Sequence, residues 1–159
     1  MNEELKKIII LENYQNPINK EVVNDDRYIK VNTNNESCID NLDFMMKIDD
    51  GKIIDIRFDG EACAISTSAS SIMIRRLIGK SVEDAIKILN NYKNMISEKE
   101  YDEELLGELI VYDEISKQPN RINCALLPSV AIEKMLENNV YKLDTNNLQF
   151  VSVIFRTLW

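Results

Sequence analysis

Apolar positions near the start of the chain recur at the spacing of a helix. Leu5, Ile8 and Ile9 fall three or four residues apart within residues 3–13, which predicts one helix over this segment. Pro17 follows shortly after, and proline disfavours the helical conformation in the residue before it. We therefore expect the chain to open with a short helix that ends before this proline.

Three extended runs come after this helix. They cover Arg27–Val31, Asp43–Ile48 and Lys52–Phe58. The last two are separated by residues 49–51, whose sequence Asp-Asp-Gly is typical of the tight turn in a β-hairpin. The pattern predicts a small antiparallel sheet of three strands.

Helical patterns dominate the next part of the chain. A segment rich in Ala, Ser, Ile and Met runs from about Ala64 to Gly79, and glycine tolerates the left-handed backbone conformation just past a helix. Ser81 is a typical N-cap, and the acidic residues that follow it complement the helix dipole. We expect one helix up to Gly79 and a second from Ser81 to about Asn94.

The remaining elements are shorter or interrupted. Residues 97–104 are charged and are predicted to form a loop, whereas 105–116 are predicted to form a short helix. Pro119 interrupts the chain before a last helical run with apolar positions between residues 130 and 136. The order predicts an α+β fold in which a small three-stranded antiparallel sheet is packed with helices.

The length of 159 residues suits one domain. We assign residues 1–139 to this domain and residues 140–159 to a C-terminal extension of unknown role. Within the extension, Phe150–Trp159 is apolar enough for either a strand or a docking segment.

Charge and composition exclude several classes of function. The net charge of −8 and the sequence pI near 4.7 argue against nucleic acid binding, because phosphate contacts need a basic face. The apolar stretch near the N-terminus is too short and interrupted for a membrane span, and no small-residue cleavage site for a signal peptide follows it. We expect a cytoplasmic protein that binds neither nucleic acid nor membrane.

The reactive side chains are sulfur and carboxylate. Three cysteines cannot all pair, and a chain of this kind suits a reducing compartment, so free thiols or thiolate ligands are expected. Histidine is absent, which excludes the usual general base and the histidine-containing zinc patterns.

Each cysteine lies near a predicted boundary between elements. Cys38 and Asp40 precede the second strand, Cys63 lies between the third strand and a helix, and Cys124 lies near the last helix. Loops from separate parts of the chain can converge at one end of a small sheet, and zinc takes four such ligands in a tetrahedron. On spacing alone, a metal site and three buried cysteines that act as small apolar residues are about equally supported.

Four short motifs surround these residues. They read N-P-I-N after the first helix, then N-E-S-C-I-D, then F-D-G-E-A-C-A-I-S-T-S-A-S, and last R-I-N-C-A. In this order they resemble the motifs of the IscU/NifU N-terminal family of iron–sulfur cluster assembly proteins, over roughly residues 3–137. The matching residues are Asn16, Pro17, Asn19, Cys38, Asp40, Phe58, Gly60, Cys63, Ile65, Ser66, Ala69, Ser70, Arg121, Ile122, Cys124 and Ala125.

Within this family the chain is most similar to the SufU branch. The run from about Asn94 to Lys117 resembles the segment that separates SufU from the scaffold proteins IscU, and Asn123 stands where the scaffold branch has a histidine. The resemblance implies the IscU/SufU-like fold and a zinc-dependent sulfurtransferase. Such a protein accepts persulfide sulfur from a SufS-type cysteine desulfurase and passes it to a downstream iron–sulfur scaffold.

The resemblance also implies roles for individual residues. Cys38, Asp40, Cys63 and Cys124 would be the metal ligands, and Cys38 would be the sulfur acceptor. Arg121 would orient a ligand or the partner, although a solvated arginine at a helix start is an equal alternative.

Two alternatives to sulfur transfer stay open. One is a scaffold that builds an iron–sulfur cluster, or binds iron, on the same thiolates, in which case the chain is not an enzyme. The other is a structural zinc domain without sulfur chemistry.

The chain departs from the family motifs at three positions. Glu36 and Ile39 replace a proline and a glycine beside Cys38, and a β-branched residue is costly at positive φ, so we expect an altered loop. Pro128 removes a helical hydrogen bond, so we expect the last helix to begin later and Cys124 to lie on a loop.

Two further groups of residues are given structural roles. In the absence of histidine or a nearby lysine, the serines of residues 66–71 are predicted to cap and pack their helix rather than to act as nucleophiles. Met45, Met46 and Met73 are predicted to fill the core.

Overall fold

A three-stranded antiparallel sheet and five α-helices form the α+β fold over residues 1–143, the part of the chain that this computed structural model describes. The predicted fold class is confirmed. Two short 3₁₀ helices, Gly107–Tyr112 and Ile115–Lys117, join the fourth helix to the fifth. In chain order the other elements are α1 (Glu3–Gln15), β1 (Ile29–Asn34), β2 (Asn41–Asp49), β3 (Lys52–Glu61), α2 (Ala64–Leu77), α3 (Val82–Ile96), α4 (Glu103–Leu106) and α5 (Pro119–Leu143).

The sheet has the strand order β1-β2-β3, and the predicted turn at residues 49–51 joins β2 to β3. Asp50 and Gly51 take the positive φ angles that such a turn needs. Phe44 and Phe58 are paired across the two strands and stack on the buried face with ring centroids 5.8 Å apart. Both strands are longer than predicted because backbone pairing continues beyond the apolar residues, as far as Asn41 opposite Glu61.

Helix α2 is the central helix of the core and packs against both α1 and α5. Its serines are buried and satisfied within the protein: Ser68 shares a 2.6 Å hydrogen bond with Tyr112, and Ser71 donates to Asn13. Small side chains let neighbouring elements approach closely, and each hydroxyl finds a partner. The packing role predicted for these serines is confirmed.

Helix α1 forms as predicted, but its apolar residues do not all face the core. Leu5 and Ile8 are 44% and 57% exposed, whereas Lys6 is buried. The Lys6 ammonium donates to Asp113 at 2.7 Å and to Glu3 at 2.8 Å, and these hydrogen bonds raise the pKa of Lys6 above its ordinary value. Polar contacts therefore fix much of α1.

The region after α3 is less regular than predicted. Helix α4 begins at Glu103, inside the predicted loop, with Asp102 as its N-cap. The single short helix expected over 105–116 is wrong, since Gly107 takes a φ of 55° and the chain continues as the two 3₁₀ helices.

Helix α5 corrects the prediction made from Pro128. The helix begins at Pro119 and continues through Pro128, so Cys124 lies within a helix and not on a loop. Because proline has no N–H, the Cys124 carbonyl has no donor at residue 128. The Ser66 hydroxyl instead lies 3.1 Å from that carbonyl, so the interruption is compensated by a neighbouring helix.

The proposed division at residue 139 falls within α5 and stays a prediction. Residues 144–159, and with them the segment Phe150–Trp159, lie outside the described residues. Within the described part, no helix is both long and apolar enough to cross a membrane.

The pairing of β2 with β3 requires a glycine at position 60. Its φ is 130°, and a Cβ there would lie 2.2 Å from the Asn41 carbonyl oxygen. We expect Gly60→Ala to lower the free energy of unfolding by about 2–3 kcal/mol, since both the backbone and the pairing partner must move. Urea denaturation of the metal-free protein measures this loss.

Gly51→Ala is the matched control for Gly60→Ala. Gly51 also has a positive φ, 70°, but nothing lies within 4 Å of the position of its Cβ. It should lose only about 1 kcal/mol, from backbone strain alone. Equal losses in the two variants would show that the close approach to Asn41 has no cost.

Candidate metal centre

Three parts of the chain carry the candidate ligands to one end of the sheet. Cys38 and Asp40 lie in the connection between β1 and β2, Cys63 lies directly before α2, and Cys124 lies in the second turn of α5. The pairing of Asn41 with Glu61 holds the start of β2 beside the end of β3. The β1–β2 connection that carries Cys38 and Asp40 is therefore adjacent to the start of α2.

The four ligand atoms converge. Three sulfurs and one carboxylate oxygen all lie within 4.8 Å of one another, and the cysteines are free. Cys63 Sγ is 3.8 Å from Asp40 Oδ2, close to the ~3.5 Å edge of a tetrahedron with zinc–ligand distances of about 2.0–2.3 Å. The donor set and its spacing fit a zinc ion.

Two donors hold the Asp40 carboxylate in place. The Cys63 backbone N–H donates to Oδ1 at 2.7 Å, and the Ser66 hydroxyl donates to Oδ2 at 2.6 Å. Burial acts to raise the pKa of Asp40, but the hydrogen bonds from Ser66 and from the Cys63 N–H outweigh it, so the pKa lies below its ordinary value. The group is therefore an oriented carboxylate anion.

Cys63 is the N-cap of α2. Its sulfur accepts a hydrogen bond from the Ser66 backbone N–H at 3.4 Å, and the positive end of the helix dipole faces it. Negative charge on this sulfur is stabilised by the helix, which suits a thiolate ligand.

Cys124 is fully buried, unlike the other two cysteines. Burial, together with its neighbours Asp40 and Cys63, raises the pKa of its thiol to about 12. The Asn35 side-chain amide donates to its sulfur at 3.5 Å. This thiol needs a cation nearby in order to ionise near neutral pH, as a metal ligand would.

Asn35 organises the loop, and sequence reasoning missed it. Its backbone N–H donates to the Asp40 carbonyl and its carbonyl accepts from Cys38, both at 3.0 Å. Ser37 donates to the Asn35 side-chain oxygen from its N–H and its hydroxyl, which orients the amide nitrogen towards Cys124. Asn35 opens the N-E-S-C-I-D segment quoted above, but its contact with Cys124 is not visible in that segment.

The loop accommodates Ile39. Ile39 is not among the residues with positive φ, and its side chain is 71% exposed. Glu36 is exposed as well. Neither substitution prevents Cys38 and Asp40 from reaching the site, and a loop altered relative to the family stays a prediction.

Arg121 lies beside the centre. The residue lies in the first turn of α5, and its side chain is exposed. Its guanidinium Nη1 is 3.9 Å from Cys38 Sγ. The sulfurs of Cys124 and Cys63 raise the pKa of Arg121 above its ordinary value. A permanent positive charge therefore faces the outer side of the sulfur cluster.

Comparison with known proteins shows the family of this chain. A family model described as the NifU-like N-terminal domain matches residues 5–125. The zinc-dependent sulfurtransferase SufU of Bacillus subtilis is 38% identical over 131 residues, which cover 82% of this chain and 88% of the relative. The iron–sulfur cluster assembly scaffold protein IscU of Streptococcus pyogenes is 34% identical over 122 residues, 75% of this chain and 77% of the relative.

A solved structure shares the fold. A SufU protein from Fervidobacterium islandicum, described as a cluster assembly scaffold of the SUF system, superposes with a TM-score of 0.74 at 31% identity. The match covers 80% of this chain and 93% of that protein. The resemblance inferred from the motifs is confirmed, and the chain belongs to the NifU-like N-terminal domain family of iron–sulfur cluster assembly proteins.

Proposed function

We propose that this chain is a zinc-dependent sulfurtransferase that accepts persulfide sulfur from a SufS-type cysteine desulfurase and passes it to a downstream iron–sulfur scaffold. The observation that carries the proposal is the convergence of three thiols and one carboxylate within 4.8 Å. The similarity to the Bacillus subtilis sulfurtransferase supports zinc as the ion. A cytoplasmic location is proposed with it, because free thiols suit a reducing compartment.

Cys38, Asp40, Cys63 and Cys124 would hold the ion. When bound, zinc keeps the thiols deprotonated. Asp40 has two hydrogen-bond donors, Cys63 caps a helix, and Cys124 is buried, so these three are firmly placed within the protein. They are the anchors of the site.

Cys38 is held less firmly than the anchors. It lies half-buried in the loop, and its sulfur lies 3.9 Å from the Arg121 guanidinium, a long contact. A reactive cysteine needs accessibility and a nearby positive charge. Cys38 is therefore the sulfur acceptor of this proposal.

The transfer balances as a thiol–persulfide exchange. The Cys38 thiolate attacks the outer sulfur of the desulfurase cysteine persulfide, a new sulfur–sulfur bond forms at Cys38, and the old one breaks. The desulfurase cysteine leaves as a thiolate, so no external oxidant or reductant is consumed. Arg121 stabilises negative charge on Cys38 and orients the incoming persulfide, since its guanidinium stays charged at all relevant pH values.

An iron–sulfur scaffold is the second candidate. The relatives from Streptococcus pyogenes and Fervidobacterium islandicum are described as scaffolds, and three thiolates with one carboxylate also suit iron. Asn123 in place of a histidine favours the sulfurtransferase. A colourless protein with about one zinc supports sulfur transfer, whereas a brown protein after anaerobic reconstitution supports the scaffold.

Cys38→Ala separates sulfur transfer from a structural zinc domain. We expect the wild type to carry about one zinc and to increase the turnover of a cognate desulfurase under reducing conditions. Cys38→Ala should lose the stimulation and the persulfide adduct while it stays folded, because the three anchors remain. Zinc analysis, desulfurase assays and mass spectrometry of the adduct measure this.

Glu36→Ala is the neighbouring control and should keep the stimulation, because the Glu36 side chain is exposed. A Cys38→Ala protein as active as the wild type, or a wild type that never stimulates the desulfurase, would contradict the proposal.

Arg121→Ala tests the role of the guanidinium. Loss of the charged contact with Cys38 should slow persulfide transfer about tenfold at unchanged zinc content. Arg121→Lys should recover part of the rate, because charge returns without the fork of donors. Single-turnover transfer from a persulfide-loaded desulfurase gives the rate.

Lys117→Ala is the matched control for Arg121. Lys117 is an exposed cation just before α5 that pairs with Glu114 and not with the site. Its removal should leave the rate unchanged. An unchanged rate in Arg121→Ala would instead support a solvated arginine without a role in transfer.

A further inference from the structure

We propose that Ser66 is a positioning residue of the metal centre, and that Pro128 makes this residue necessary. The inference rests on the metal site of the proposed function. Ser66 links the ligand from the loop to the ligand from α5 through one hydroxyl group, and Pro128 leaves a buried carbonyl that this hydroxyl satisfies.

The contacts of Ser66 reach three of the four candidate ligands. The residue is fully buried in the first turn of α2. Its hydroxyl lies 2.6 Å from Asp40 Oδ2 and 3.1 Å from the Cys124 carbonyl oxygen. Its backbone N–H donates to Cys63 Sγ, and its hydroxyl oxygen lies 3.6 Å from the same sulfur. Loss of the hydroxyl would remove its contacts with Asp40, with Cys63 and with the Cys124 carbonyl together.

Pro128 explains why the Cys124 carbonyl needs this partner. In an unbroken helix that carbonyl accepts from the N–H of residue 128, which proline lacks. Cys124 is fully buried, so water is a poor substitute, and an unpaired buried carbonyl is costly. Ser66 comes from another helix, and its hydroxyl proton, which it shares with Asp40, partly replaces the missing donor.

The single hydroxyl proton has two acceptors. The Asp40 carboxylate is closer and charged, so it is the stronger acceptor, and the Cys124 carbonyl is the weaker one. Asp40 and Cys124 are both fixed relative to the same oxygen atom. The hydroxyl therefore fixes the Asp40 carboxylate relative to α5, alongside the link that the Asn35 amide makes to Cys124.

Ser66→Ala should weaken zinc binding. Loss of a partner that orients a metal ligand typically lowers affinity by about 10–100-fold, and we expect a loss in this range. Competition with a chromophoric chelator measures it. Substitution with Co²⁺ gives a second readout, because the ligand-field bands should change if Asp40 is no longer held in place.

Ser70→Ala is the matched control. Ser70 is one turn further along α2, equally buried, and its hydroxyl donates to the Ser66 carbonyl at 2.7 Å and to no ligand. It should keep zinc affinity within about twofold and the Co²⁺ spectrum of the wild type. Equal losses in Ser66→Ala and Ser70→Ala would overturn the inference in favour of simple packing.

Pro128→Ala tests the second half of the proposal. It supplies an N–H at residue 128, so the Cys124 carbonyl regains its helical partner. In this background Ser66→Ala should cost at least threefold less zinc affinity than in the wild type, because only the contact with Asp40 is then lost. Equal costs in both backgrounds would overturn the role of Pro128.

The outcomes also separate this inference from the proposed function. A wild type that binds no zinc contradicts the metal site itself, whereas tight zinc binding with no effect of Ser66→Ala contradicts only the positioning role. If Ser66→Ala alone does not fold, the comparison of Pro128→Ala with the double variant decides, since the carbonyl is satisfied in both. Equal zinc affinity in that pair would overturn the role of Ser66.

Discussion

The pairing of Asn41 with Glu61 at the end of the β2–β3 hairpin is the constraint on which the centre depends. It places the loop that carries Cys38 and Asp40 directly beside the residue that caps α2. A slip of one residue would reverse the faces of the strand and move the loop away from α2. The close approach at Gly60 is part of the same constraint, since only glycine leaves room for the Asn41 carbonyl.

The four candidate ligands at this end of the sheet are held in place to different degrees. Asp40 is held by two donors, Cys63 by a helix start, and Cys124 by burial and the Asn35 amide. Cys38 is attached through the loop backbone and faces an exposed arginine. One set of contacts thus holds three of the side chains firmly, whereas Cys38 depends mainly on its loop.

The sequence predicted the sheet, most of the helices and the four residues that converge, because those signals are local. The hairpin turn, the N-cap Ser81 and the motifs around Cys38, Cys63 and Cys124 each depend on a few neighbouring residues. The prediction for α5 failed for the opposite reason. The prediction considered only the helix that contains Pro128. The compensating donor Ser66 lies in another helix, 58 residues before Cys124 in the chain.

The contacts that support the site and the first helix could not be predicted either, because their partners are far apart in the chain. Asn35 meets Cys124 across 89 residues of sequence, and no spacing rule connects the two. The inward-facing Lys6 could not be foreseen either, because its partner Asp113 lies 107 residues away. Such contacts are consequences of the fold and become visible only with it.

Ile39 also affects the conformational entropy of the loop that carries Cys38 and Asp40. The related motif has a glycine here, and glycine loses more conformational freedom than other residues when a loop becomes ordered. Ile39 avoids positive φ, so the loop gains this restriction without strain. A substitution of this kind stabilises the ordered form by about 0.4–1 kcal/mol. The unfolded chain therefore has less conformational entropy to lose when this loop folds.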